Sequence, residues 1–121
     1  MNEGKHVRLE PTGETLIVTP LCTSSRFTED EVLGEWNRVL NRIEDEDVKR
    51  VLVDLGHIPY FGSTLLDWIV QMWRRLQERE GALAICNASK VGREVLLIAR
   101  FDKLWKIHDS RQDALESFGQ T

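Results

Sequence analysis

Ser63 and Thr64 are the side chains best placed to do chemistry. They follow Val51-Leu52-Val53-Asp54-Leu55-Gly56-His57-Ile58-Pro59-Tyr60-Phe61-Gly62, an apolar strand that runs through a short turn into a helix. The N–H groups that open a helix lack intrahelical acceptors and together carry about half a positive charge. A phosphate on the Ser63 hydroxyl would sit in that anion site, and Thr64 is the second choice for the same modification. Phosphorylation adds roughly 1.5 to 2 negative charges, enough to break a fitted contact made by the surrounding surface. That partner-facing surface is expected to comprise Tyr60, Phe61, Gly62, Ser63, Thr64, Asp67 and Trp68. Trp68 is included because it falls off the stripe Leu65, Ile69, Met72. The competing reading is that Ser63 or Thr64 only caps the helix, a role worth about 1 kcal/mol.

Other chemistries find less support. Gly62-Ser63 resembles part of a nucleophile elbow, but Leu65 stands where that motif has its second glycine, and a hydrolase needs a histidine held by a carboxylate. His6, His57 and His108 read as surface or loop residues, so no catalytic residue is expected. The two cysteines, Cys22 and Cys86, have no ligand spacing and read as reduced and structural. Asp54 is expected to bond backbone N–H groups of the turn rather than a metal. Neither metal nor cofactor is expected.

These residues need a scaffold, and the composition says which kind. At 121 residues the chain fits one domain spanning 1–121, with 41% hydrophobic and 30% charged residues, the balance of a soluble globular protein. No apolar run is long enough to span a bilayer and no signal peptide opens the chain, so a cytoplasmic location is expected. The net charge of -4, with Arg74-Arg75 as the only dense basic cluster, argues against nucleic acid.

Strand and helix patterns alternate along the chain. Val7 and Leu9 alternate with polar neighbours, Gly13-Glu14 marks a turn, and Thr15 to Leu21 reads as a more buried strand, giving an opening hairpin. Thr28 and Glu31 have capping-box spacing before a helix that carries Leu33, Trp36, Leu40 and Ile43 on one face. Glu29, Asp30 and Glu31 read as its solvated first turn.

Val51 to Leu55 reads as a central strand buried on both sides. The helix after Ser63 is expected to close at Gly81 in the left-handed conformation. Leu83 to Cys86 follows as a strand, and Ser89 caps a helix bearing Val91, Val95 and Ile98. Leu104 to Ile107 reads as a short strand, and Asp109 or Ser110 opens a last helix. The order predicts an α/β fold whose sheet is mixed and mostly parallel.

Val53-Asp54-Leu55, then Ile58, Tyr60-Phe61, Ser63 and Leu66, followed by the long helix, Gly81 and an apolar strand, resemble the STAS family of bacterial anti-sigma-factor antagonists. Val95-Leu96, Phe101-Asp102-Lys103-Leu104-Trp105 and Asp113-Ala114-Leu115 are similar to that family's third helix, last strand and last helix. The resemblance implies a single STAS-like domain of about five strands and four helices. It implies binding to an anti-sigma factor that is also a serine kinase, phosphorylation of the serine at the start of the second helix, and a PP2C-type phosphatase that resets it.

Gly62-Ser63-Thr64-Leu65-Leu66-Asp67 departs from the family's common Asp-Ser-Ser/Thr-Gly-Leu-Gly, and Asp67 is expected to put an acid in the first helical turn. A non-phosphorylated scaffold or ligand-sensing module is the alternative, and a small serine hydrolase the remote one. Neither nucleic acid nor membrane is an expected partner, and the oligomeric state, a homodimer included, stays open.

Overall fold

A computed structural model describes residues 2–3, 6–21, 29–46 and 48–118 of the chain. Strands β1 (Asn2–Glu3), β2 (Val7–Thr12) and β3 (Thr15–Pro20) precede helix α1 (Glu29–Asp45) and strand β4 (Arg50–Asp54). Helix α2 (Ser63–Gln77), strand β5 (Ala82–Cys86) and helix α3 (Lys90–Ile98) follow. A 3-10 turn (Phe101–Lys103), strand β6 (Lys106–His108) and helix α4 (Arg111–Ser117) complete the order. Cys22 and Thr28 lie outside the described residues, as do the side chains of Glu29, Asp30 and Glu31.

The sheet runs in the order β1-β2-β3-β4-β5-β6. Strands β2 and β3 form the expected antiparallel hairpin, with Thr12 opposite Thr15 and Gly13 at φ 61° in its two-residue loop. Pairings β3–β4, β4–β5 and β5–β6 are all parallel. Central β4 carries Val51, Leu52 and Val53 fully buried, because helices cover both faces.

The two faces have separate cores. On one, α1, α2 and α3 pack Trp36, Ile43, Ile69, Met72, Leu76 and Leu96 against Val18, Val53 and Ile85. On the other, α4 sets Ala114 over Ile17, Leu52, Ala84 and Cys86.

Several sequence expectations change here. Trp68 is buried, 7% exposed, and stacks on Trp36 at 5.7 Å between ring centroids with planes 14° apart. It therefore joins α1 to α2, a stack worth about 0.5 to 1.5 kcal/mol beyond its buried area, and does not face a partner. Leu33 is exposed, and the inner face of α1 is instead Glu35, Trp36, Val39, Leu40 and Ile43.

Helix α3 buries Gly92 and Leu96, leaving Val91 and Ile98 in solvent. At Gly92 an added Cβ would lie 2.8 Å from the Phe61 ring, so a larger residue there would have to displace that ring. The last strand begins at Lys106, because the Leu104 and Trp105 N–H groups both bond the Phe101 carbonyl and continue the preceding turn. His6 is buried rather than superficial: its N–H donates to Glu35 Oε1 at 3.0 Å and its Nδ1 contacts Oε2.

Helix α2 ends in a Schellman arrangement, with the Gly81 N–H on the Leu76 carbonyl (2.7 Å) and the Glu80 N–H on that of Gln77 (3.2 Å). Glu80, at φ 58°, takes the left-handed position expected of Gly81. Gly81 is required for another reason, since a Cβ there would sit 2.4 Å from the Lys49 carbonyl oxygen.

Candidate functional site

The parallel strands β4, β5 and β6 end at one edge of the sheet, where α/β folds gather functional groups. There the chain leaves β4 through a tight, anchored turn. Leu55 and Ile58 are buried, and their N–H groups donate to the carbonyls of Cys86 (3.0 Å) and Leu55 (3.2 Å). Between those anchors Gly56 and His57 are exposed. Beyond them Pro59 and Tyr60 stand in solvent, Tyr60 68% exposed, while Phe61 is half-buried against the core. The Ser89 hydroxyl donates to the Pro59 carbonyl (2.7 Å) and accepts from the Gly92 N–H (2.9 Å). Ser89 thus caps α3, as expected, and also ties it to the turn.

Gly62 is the N-cap of α2, in extended conformation at φ -123° and ψ -159°, and no side chain caps the helix. Ser63 is the first helical residue, so neither its hydroxyl nor that of Thr64 supplies the expected cap. Gly62, Ser63 and Thr64 are exposed, whereas Leu65 and Trp68 hold the helix in the core. The first turn contains no acid. Asp67, expected there, lies beyond it, exposed and accepting from Gln71 Nε2 at 3.0 Å. The opening N–H groups of α2 therefore keep their positive end without a side-chain anion to neutralise it.

Asp54 supports this turn from beneath. Its Oδ1 accepts from the Gly56 N–H (2.9 Å) and from Asn87 Nδ2 (3.1 Å), and its Oδ2 accepts from Arg111 Nε (2.7 Å). The first bond is the turn contact expected from the sequence. Arg111 also reaches Glu10 Oε2 at 2.8 Å and Thr19 Oγ1 at 3.2 Å. One cluster thus joins β2, β3, β4, the residue after β5, and α4.

Burial would raise the Asp54 pKa, but hydrogen bonds from Arg111, Gly56 and Asn87, with the Arg111 charge, hold it below the usual carboxylate value. Asn87 sits at φ 58°, a conformation asparagine tolerates better than most residues and one its bond to Asp54 supports. Asn87 and Arg111 were missed in the sequence, because Asn87 lies 33 and Arg111 57 residues from the carboxylate they hold. Their only local signals are the short polar Asn87 after a strand and an arginine following the Ser110 cap.

Cys86 is buried beside this cluster, and burial, reinforced by the Asp54 charge, pushes its thiol up to about 12. Such a thiol is protonated and unreactive near neutral pH. His57 is exposed, His6 is engaged with Glu35, and His108 ends β6 half-buried. The site offers an exposed hydroxyl at a helix start on a rigid support.

Comparison with known proteins places the whole fold. A family model described as STAS domain matches residues 33–114. A curated Bordetella bronchiseptica relative, bearing the name anti-sigma factor antagonist BtrV, is 30% identical over 74 residues, covering 61% of this chain and 64% of that protein. The chain thus spans a little under two thirds of that relative's length. A STAS-domain anti-sigma-factor antagonist protein from Planctomyces limnophilus has a TM-score of 0.78 at 25% identity, covering 94% of this chain and 98% of that one. The Bacillus cell fate determinant SpoIIAA in its phosphorylated form shares the fold, with TM-score 0.69, 16% identity and coverage of 93% and 98%.

Proposed function

From the membership of this chain in the STAS domain family, we propose that it is an anti-sigma-factor antagonist that binds an anti-sigma factor with serine kinase activity and is released when Ser63 is phosphorylated. The reading gives the chain no catalysis of its own, a cytoplasmic place and a PP2C-type phosphatase to restore it. The observation that carries it is the position of Ser63, exposed as the first residue of an α2 whose opening turn has neither side-chain cap nor acid.

A phosphate there gains about 0.3 to 1 kcal/mol from the helix end. Asp67, four residues on, returns part of that by repulsion. The balance favours a stable phosphoprotein, and the added charge falls beside Tyr60 on the surface a partner would cover. The two forms then differ in what they present and not in fold.

The test combines co-purification and mass spectrometry. The anti-sigma factor kinase recovered with the full chain from its native extract is produced alone and incubated with the chain and ATP. Phosphate on Ser63, absent in Ser63→Ala, is the expected result. Phosphate placed elsewhere, or transferred nowhere, refutes the reading.

A further inference from the structure

We infer that the cleft at the start of β5, between α2 and α4, binds a small carboxylate anion with an apolar body. The cleft lies at the opposite end of the parallel strands from Ser63 and does not depend on the switch reading.

The cleft exists because β5 begins before β6 does. Strand β5 starts at Ala82, whereas Lys106, the first residue of β6, lies opposite Ala84. The Ala82 N–H donates to the Lys49 carbonyl at 3.0 Å, on the β4 side, and alternation along a parallel strand turns the Leu83 N–H the other way. No carbonyl among the described residues of the turn before β6 accepts it. An edge left open in this way offers a donor to whatever fills the space. That space is about 320 Å³, at the lower end of small-molecule sites and enough for roughly a dozen non-hydrogen atoms.

Walls and charge select the occupant. Trp73, packed on the core under α2, and Phe118, packed on the core under α4, both line the cleft, so two aromatic rings flank the open edge. The Arg50 guanidinium lies 5.9 Å over the centre of the Phe118 ring and holds that wall. Of the lining residues only Lys106 is charged, and it is exposed and makes no ion pair among the described residues. The acids nearest in the chain to the lining, Glu80 and Glu116, are not part of it, and Glu116 accepts from Gln112 Nε2 at 3.4 Å. A carboxylate gains charge-assisted hydrogen bonds from Lys106 and the Leu83 N–H, while its apolar body lies between the rings. A cation would meet Lys106 with no acid in the lining to offset it.

The test titrates the full chain with hydrocinnamate, hydrocinnamamide and phenylpropylamine, which share one apolar body and differ in charge. Binding is followed by NMR at the indole N–H of Trp73, assigned with Trp73→Phe. Hydrocinnamate is expected to give a saturable shift with a Kd of about 1 mM or tighter, and the amide and the amine to bind at least about fivefold more weakly. Lys106→Gln should weaken hydrocinnamate about fivefold and leave the amide within about twofold of the parent. Ala82→Glu, which puts an acid on the cleft wall, should weaken hydrocinnamate at least about tenfold. Lys106 and Ala82 are both exposed, so neither change disturbs the core.

No saturable shift at Trp73 up to about 10 mM hydrocinnamate overturns the site. Equal binding of the amide or the amine, or Lys106→Gln within about twofold of the parent for hydrocinnamate, overturns the assignment of a carboxylate. A shift that Ala82→Glu leaves unchanged places the ligand elsewhere and overturns the cleft. None of these results bears on phosphorylation of Ser63.

Discussion

Replacing Asp54 by alanine strands three donors at once: the Gly56 N–H, Asn87 Nδ2 and Arg111 Nε. Each donor deprived of an acceptor in a buried setting costs about 1 to 3 kcal/mol. Asp54 is 6% exposed, but Arg111 is accessible enough to recover water and keeps Glu10, so its share is discounted. The expected loss for Asp54→Ala is about 3 kcal/mol.

Asparagine keeps an oxygen for the Gly56 N–H and loses mainly the charge opposite Arg111, so Asp54→Asn should cost about half as much. For 121 residues, 1 kcal/mol shifts Tm by about 4 °C, which places the two variants about 12 °C and 6 °C below the parent. Urea unfolding, with a double-mutant cycle through Arg111→Ala, apportions the effect and should return a coupling of about 1 to 2 kcal/mol.

The pH dependence follows from the lowered Asp54 pKa. A group depressed in the folded state contributes stability that is complete above its ordinary value of 3.8 and is lost as pH falls through the lower folded value. The difference between parent and Asp54→Asn should thus be flat from pH 5 to 8 and shrink below about pH 4. An alanine variant losing less than about 1 kcal/mol, or matching asparagine, refutes the account of how the turn is held.

Further outcomes follow from the same geometry. Ser63→Ala should change stability by less than about 0.5 kcal/mol in urea unfolding, since Ser63 does not cap α2; a loss near 1 kcal/mol would restore the capping role. Gly81→Ala should cost about 2 kcal/mol or more by the same measurement, because its Cβ meets the Lys49 carbonyl at 2.4 Å. In a Cys22→Ser background, Cys86 should resist a disulfide reagent at pH 8 until the protein is denatured, its thiol standing at about 12.

The elements were legible where local pattern decides them. The apolar run at β4, the Gly13 turn and the Ser89 and Ser110 caps are short-range signals, and the fold meets each of them. Misreadings arose where a face must be chosen. Trp68 lies three residues after Leu65 and four before Met72, hence within the buried stripe of α2, but a stripe counted too narrowly leaves it out. On α3 the sequence marked Val91, Val95 and Ile98 as the apolar residues without choosing an inner face, and the structure buries Gly92 and Leu96, with Gly92 packed on Phe61.

The polar pairs were invisible for a different reason. His6 and Glu35 are 29 residues apart and Asp54 and Arg111 are 57 apart, and nothing in either local sequence records the other. At the candidate site, the helix start at Ser63 was legible from the strand and turn before it. The absence of a side-chain cap depended on the backbone angles at Gly62.

The most direct test is the affinity of one preparation of the chain for its anti-sigma factor kinase before and after stoichiometric phosphorylation of Ser63. The account predicts binding at least about tenfold weaker afterwards, with an unchanged circular dichroism spectrum and full recovery on dephosphorylation. Equal affinity in the two states would contradict it.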